Sequence, residues 1–333
     1  YMVYCSISGN PMIIFNHAIV ITSDKLVTFL GYIDILVWPM MALGQIYSMR
    51  SRAKGSLKRI TEFLDTPEDI KSKDDAIKLS DCKGKITFNN FSFAFPNANN
   101  NVLNKINLTI NPGEIVGIVG KIGSGKSIMM NSLLRLYNLN ENQVFIDDYD
   151  IMSLDITSVR DIIAYVPQDN FLFSDCIKNN IAFSSDNVDM DKVINASKFA
   201  DVDENIKGFI DGYETISGER GVTLSGGQKQ RISIARAFYK DAPIMILDDS
   251  VSAVDIKTEE NILKNIKELR EGKTTIVIAS RVSTIMNSDK IVVLNDGEIE
   301  AIGTHEQLIK NSPTYSRMVY LQELEREVEG GNA

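Results

Sequence analysis

The sequence predicts a mixed α/β fold built around a phosphate-binding loop and preceded by a pair of apolar helices. Three observations predict it. From Lys85 onward, short apolar strands alternate with helical stretches, the pattern of an α/β core. One of these strands, Ile115 to Val119, runs into Gly120-Lys121-Ile122-Gly123-Ser124-Gly125-Lys126-Ser127, a match to G-x-x-x-x-G-K-[ST]. A second, Ile244 to Leu247, ends in two acids, Asp248 and Asp249.

The first 65 or so residues read differently from the rest. Residues 1–23 contain no Asp, Glu, Lys or Arg, and Leu26 to Met49 contains one charge, Asp34. Each run has roughly the ~20 residues that a helix needs to cross a bilayer. Spans over about 1–22 and 26–49, separated by Asp24 and Lys25, make a helical hairpin. Gly9, Pro11, Gly31, Pro39 and Gly44 are costly in an isolated soluble helix but tolerated in a membrane helix. The alternative is a pair of buried helices in a soluble protein. Arg50, Arg52, Lys54, Lys58 and Arg59 place the end of the second span on the cytoplasmic side and the Asp24-Lys25 turn outside. They equally suit the solvated face of a helix that continues to about Asp65, where Thr66-Pro67 ends it. Asp34 either faces a cavity or partner or lies near enough to the outer surface to stay wet. Residues 67–84, polar and rich in Lys and Asp, read as a linker.

The whole chain has 333 residues and a net charge of -9, which argues against a nucleic-acid partner. Cys5, Cys82 and Cys176 are far apart, form no metal spacing and read as reduced thiols in or beside a cytosolic compartment. The apolar start at Tyr1 suggests a piece of a longer protein. No charged n-region or cleavage site points to a signal peptide.

The phosphate loop carries a specific chemistry. Its glycines let backbone N–H groups wrap phosphate oxygens, and the helix beginning near Lys126 points its positive end at the same anion. Lys126 would reach the β- and γ-phosphates, Ser127 would ligate Mg2+, and Asp248 would hold Mg2+ from the neighbouring strand. A Gly-rich turn without nucleotide is the bland alternative, which the strand-loop-helix context disfavours.

Further motifs lie around this loop in a fixed order. They are Phe91-Ser92-Phe93-Ala94-Phe95-Pro96, Tyr165-Val166-Pro167-Gln168-Asp169, Gly218-Glu219-Arg220-Gly221, Leu224-Ser225-Gly226-Gly227-Gln228, Ser252-Ala253-Val254-Asp255 and Gly303-Thr304-His305-Glu306. With the phosphate loop and the acidic strand, they resemble the nucleotide-binding domain of exporter-type ATP-binding cassette (ABC) transporters over about Lys85 to Leu321. The resemblance implies a P-loop NTPase cassette with an α-helical signature subdomain, with ATP and Mg2+ as cofactors. Residues 1–66 would be the last two helices of a transmembrane domain, 85–322 the cassette and 323–333 a polar tail. Phe95 would stack on adenine in place of the usual Tyr, and a Phe face serves for this. Gln168 would touch the Mg2+ site and sense the membrane domain. Leu224 to Gln228 would be the signature, with Ser225, Gly226 and Gly227 facing the γ-phosphate of ATP held by a partner.

One phosphate loop and one signature then imply a second ABC half-transporter as partner. The whole would sit in the cell membrane with the nucleotide domain in the cytoplasm, among lipid, exporting an unidentified solute. Soluble ABC ATPases that act on DNA or ribosomes lack such apolar N-terminal runs. The resemblance breaks at two positions. Asp249 stands where the family usually carries a catalytic Glu, and Ser280 where it usually carries a switch His. Together the two departures imply the hydrolytically weak half of a heterodimer, whose intact signature serves the partner's site. A homodimer with slow chemistry at both sites and a non-hydrolytic regulatory subunit are the alternatives.

Overall fold

The computed structural model describes residues 4, 7–8, 11–14, 17–19, 22–96, 98, 100–218, 221, 223–252 and 254–330, with backbone alone at 12–14, 17–19 and 325–330. Two compact units result, Tyr1–Glu68 and Asp69–Ala333.

In the first unit, one expectation is corrected. The described core of residues 1–22 is not helical: Met12–Ile14 (β1) and His17–Ile19 (β2) pair antiparallel. Pro11 withholds a helical N–H, and Ile13, Ile14 and Ile19 are β-branched, which favours extended backbone. Tyr4, Ile7 and Ser8 are helical, and most of the remaining run lies outside the described residues. The second run behaves as its composition dictates. Ser23–Leu64 is a single 42-residue helix (α1) that passes through Pro39 without ending. Asp65 closes it, with its N–H bonded to Thr61 O, next to the Thr66-Pro67 stop. None of its residues is buried, and Asp34 lies on its exposed surface. Among the described residues, α1 is the one helix long and apolar enough to cross a membrane, with a mean hydropathy of 1.8 over its most apolar stretch.

In the second unit, residues 69–84 carry no helix or strand, but they are not free. The N–H of Ile77 bonds Ser153 O at 2.9 Å, and Ile77 O accepts from the Asp155 N–H at 2.9 Å. The chain then forms β3 (Ile86–Phe93), β4 (Leu103–Ile110), β5 (Ile115–Gly120), α2 (Lys126–Leu133), β6 (Val144–Ile146), β7 (Tyr149–Asp150), α3 (Ile156–Asp161) and β8 (Ile163–Val166). Helices α4 (Ile177–Ile181), α5 (Met190–Phe199), α6 (Asp203–Lys207) and α7 (Gly226–Lys240) follow. The remainder is β9 (Ile244–Asp248), α8 (Ile256–Leu269), β10 (Thr274–Ile278), α9 (Val282–Ile285), β11 (Lys290–Asn295), β12 (Glu298–Gly303), α10 (His305–Asn311) and α11 (Pro313–Gly330). Helix α11 runs through the stretch expected as a polar tail as far as Gly330.

A six-stranded sheet has the order β12-β11-β5-β10-β9-β8, parallel except for β12. Its central strands are buried on both faces, which is why β5 and β9 read as near-continuous apolar runs and β10 ends in one, Ile276 to Ile278. One face packs Ile163, Ile244, Ile246 and Ile118 against Met129, Met130 and Leu133 of α2. The other packs Val119, Val166, Met245 and Leu247 into a core shared with α4, α5, α7 and α8. A separate antiparallel sheet, β4-β3-β6-β7, contributes Phe88, Phe91 and Leu103 to the α2 side.

Candidate nucleotide site

The parallel sheet brings four strand ends to one edge. The loop after β5, the acids ending β9, Gln168 after β8 and Ser280 after β10 all lie at the carboxyl ends of neighbouring strands, where open α/β sheets bind ligands.

The loop is shaped by close approaches. A Cβ on Gly120 would stand 2.0 Å from Leu294 O, so no side chain fits there. Gly125 has φ +97, and its Cβ would meet Leu103 Cδ2 at 2.6 Å; it is the last residue before α2. Gly123 has φ +82 and open space where a side chain would point. Lys126 folds back over the loop, its Nζ donating to Gly120 O and Lys121 O, both at 2.8 Å. Burial holds the Lys126 ammonium below its ordinary pKa, while Asp249 and Asp248 pull the other way.

Asp248 is 3 % exposed, and both its oxygens are held. Ser127 Oγ donates to Oδ1 at 3.2 Å, and the Tyr165 hydroxyl donates to Oδ2 at 3.1 Å. Burial raises the Asp248 carboxyl above the usual range, against these two hydrogen bonds. The arrangement suits the expected cofactor. Ser124 Oγ is buried without a hydrogen-bond partner, the face over Gly123 is open, and hydroxyl and carboxylate oxygens are the donor set a Mg2+ ion takes.

Asp249, one residue on, has different neighbours. Its backbone is left-handed, φ +47, and its N–H bonds Ile278 O at 2.9 Å. Ser280 Oγ donates to Asp249 Oδ1 at 3.1 Å, so the two residues that depart from the family pattern touch each other. Gln168 is exposed, and its carbonyl accepts from Asn170 Nδ2 at 3.4 Å. Phe95 is 38 % exposed and packs edge-on against Phe93 and Tyr137 at centroid distances of 5.4 and 5.7 Å. Its hairpin meets the loop, because Val102 bonds Phe93 O and lies over Gly125.

The signature stands apart, on the helical part of the unit. Leu224 is buried and Ser225 caps α7. Ser225 Oγ accepts from the Gln228 N–H at 3.3 Å, and Gln228 Oε1 accepts from the Ser225 N–H at 2.9 Å, a reciprocal capping box. Gln228 is thereby committed to the cap. Ser225 and Gly226 are exposed, and nothing lies within 4 Å of where a Gly226 Cβ would be. Glu219, Arg220 and Ala253, named with the motifs, lie outside the described residues.

Sequence reasoning missed two partners. In sequence Tyr165 is only part of the motif ending in Gln168, but the alternation of side chains puts it on the same sheet face as Ile246 and Asp248. Gln322 of α11 grips the Ser280 loop, accepting from the Val282 N–H at 2.8 Å and donating to Ser280 O at 3.0 Å. No local signal announces that contact.

Residues 103–252 match the family model described as ABC transporter. The chain is 40 % identical over 304 residues to a putative multidrug export ATP-binding/permease protein of Bacillus subtilis, covering 91 % of the chain and 52 % of that protein. It is 38 % identical over 301 residues to an ATP-dependent lipid A-core flippase of Syntrophus aciditrophicus, covering 90 % and 50 %. A solved structure of a bacterial Atm1-family ABC exporter with ATP bound superposes with a TM-score of 0.80 at 34 % identity, covering 90 % of this chain and 52 % of that one. The chain thus spans about half the length of the curated relatives it matches. With α1, these matches place the protein in a membrane and its nucleotide domain on the cytoplasmic side. Fold, site and relatives agree: the chain carries an exporter-type ABC nucleotide-binding domain with a C-terminal portion of a membrane domain, homologous to the multidrug ABC exporters.

Proposed function

We propose that the chain is the ATP-binding half of a heterodimeric ABC exporter, with a hydrolytically weak site of its own and a signature that serves its partner's site. ATP and Mg2+ would be held by Gly120 to Ser127, Gln168 and Asp248, with Phe95 against adenine. Bound Mg2+ would neutralise charge on the β- and γ-phosphates. Lys126 would leave Gly120 O and Lys121 O for phosphate oxygens, and Ser127 and Asp248 would hold the metal.

The observation that carries the unequal-site reading is the Asp249–Ser280 hydrogen bond. The carboxylate meant to position water is one methylene short, a retreat of roughly 1 Å, and misplacement on that scale can cost about a hundredfold in rate. Its neighbour is a neutral hydroxyl, which supplies neither the reach nor the charge of an imidazole. The two substitutions satisfy each other, and the phosphate and metal ligands are untouched. The exposed, capped start of α7, open over Gly226, supports the complementary half of the reading.

The test is steady-state ATP hydrolysis by the full-length protein in its natural complex. Asp249→Asn leaves most of the activity, whereas Gly226→Asp, which sets a carboxylate against a γ-phosphate, removes most of it. If Asp249→Asn stops turnover completely, the two sites are equivalent and a homodimeric ATPase is the better description.

A further inference from the structure

We propose that Tyr165 is a positioning residue for the metal, fixing the Asp248 carboxylate so that Mg2+ can strengthen nucleotide binding. The inference rests on the Mg·ATP reading above and adds to it a residue with no assigned role.

The geometry starts with strand register. β8 and β9 run parallel, with Tyr165 opposite Ile246. Side chains alternate along a strand, so Tyr165, Ile246 and Asp248 share a face, the one covered by α2. A tyrosine ring is long enough to reach one pleat further along, and its hydroxyl meets Asp248 Oδ2 at 3.1 Å. Ser127, the second residue of α2, takes Oδ1 at 3.2 Å. The carboxylate is therefore pinned at both oxygens, from the neighbouring strand and from the phosphate-loop helix.

These two contacts are not equivalent. Ser127 is itself a ligand candidate, so its hydroxyl must serve both the metal and Oδ1. Tyr165 lies on the other side of the carboxylate and serves Oδ2 alone. With the Tyr165 hydroxyl removed, Oδ2 of a carboxylate that is 3 % exposed has no tyrosine donor, and the plane of the group can turn about its last side-chain bond. Contacts to the triphosphate by Lys126 and the loop N–H groups do not pass through Asp248, so they survive the change. The expected defect is specific: the metal-dependent part of nucleotide affinity falls and the metal-independent part stays.

The test is an ATP titration of the purified full-length protein, in EDTA and across a Mg2+ series, for wild type, Tyr165→Phe, Asp248→Asn and the double variant. Tyr165→Phe keeps its affinity in EDTA within about twofold and needs about tenfold more Mg2+ for half of the metal effect, the size of one hydrogen bond to a charged group. In the Asp248→Asn background, Tyr165→Phe adds no further loss, because the group it orients is already gone. Thermal melts of the metal-free proteins separate a positioning defect from a folding defect. An unchanged Mg2+ dependence in Tyr165→Phe overturns the proposal, as does an equal loss with and without metal or an additive loss in the double variant. A wild-type protein whose ATP affinity does not respond to Mg2+ overturns the Mg·ATP reading instead.

Discussion

Asp248 and Asp249 are neighbours at the end of β9, yet their surroundings differ in kind. Asp248 is buried, held at both oxygens, and framed by Ser127 and Tyr165. Asp249 takes a left-handed backbone and meets Ser280. On the reading proposed above, the first region would hold phosphate and metal, through Lys126, Ser127 and Asp248. The second should direct water at the γ-phosphate and has two short substitutes. On that reading nucleotide binding and hydrolysis are separable within two consecutive residues, because β9 ends at Asp248 and the left-handed backbone of Asp249 carries its side chain out of the strand to Ser280.

The comparison breaks first if the binding region fails to bind. Lys126→Ala removes a cation whose two present acceptors are backbone carbonyls of its own loop. It should weaken ATP binding about a hundredfold or more, the size of two charge-assisted contacts. Isothermal titration in Mg2+ measures this, and an affinity equal to wild type refutes the assignment. The hydrolysis region should respond in the opposite direction. Asp249→Glu with Ser280→His restores the missing methylene and the imidazole, and should raise turnover at this site about tenfold. The check is single-turnover hydrolysis with the partner's site disabled. No gain would mean that the weakness lies outside this pair.

A third variant sharpens the boundary of the binding region. Phe95→Ala should cost about tenfold in affinity for ATP and for ADP alike, whereas Phe95→Tyr should cost nothing. Tripolyphosphate competition should be unaffected by either change. If Phe95→Ala weakens tripolyphosphate equally, the ring supports the loop through Phe93 and Val102 and does not stack on the base.

The two regions also differ in how far they can be read from sequence. The loop from Gly120 to Ser127 is local: its strand, its glycines and its helix follow one another, and each has a residue-type signature. The cap of α7 is equally local, since Ser225 and Gln228 stand three residues apart. Asp249 and Ser280 could be set against a family pattern, but their mutual hydrogen bond joins residues 31 apart through the pairing of β9 with β10. Tyr165 and Asp248 meet across 83 residues, and Gln322 and Ser280 across 42. Such contacts depend on strand order, which hydrophobic periodicity does not encode. Within the apolar run over residues 1–22, the described strands β1 and β2 differ from the expected helix for another reason. The run's length fits a span, but Pro11 and the β-branched Ile13, Ile14 and Ile19 favour the extended pairing of β1 with β2.

The smallest expected effect concerns stability. Burial raises the Asp248 carboxyl above its ordinary pKa in the folded protein, and the hydrogen bonds from Ser127 and Tyr165 do not fully offset it. A carboxyl whose folded pKa is raised binds its proton more tightly in the folded than in the unfolded state. Its contribution to stability is therefore present below the unfolded value of about 3.9 and is lost as pH rises through the folded value. At neutral pH the metal-free protein carries this charge at a cost. Asp248→Asn should then raise the melting temperature of the metal-free protein at pH 7 by a few degrees at most, and the gain should shrink as pH falls toward the carboxylate range. With saturating Mg2+ and ATP the order should reverse, because only the charged residue holds the metal and ligand binding adds to stability. Asp249 lies outside the buried pair of hydrogen bonds, but its charge adds to the rise of the Asp248 carboxyl, so Asp249→Asn should show a smaller gain and no reversal. Scanning calorimetry at two pH values, with and without Mg·ATP, measures all of these changes. A gain for Asp249→Asn equal to that for Asp248→Asn would mean that the two acids share one environment, and the contrast between the regions would fail.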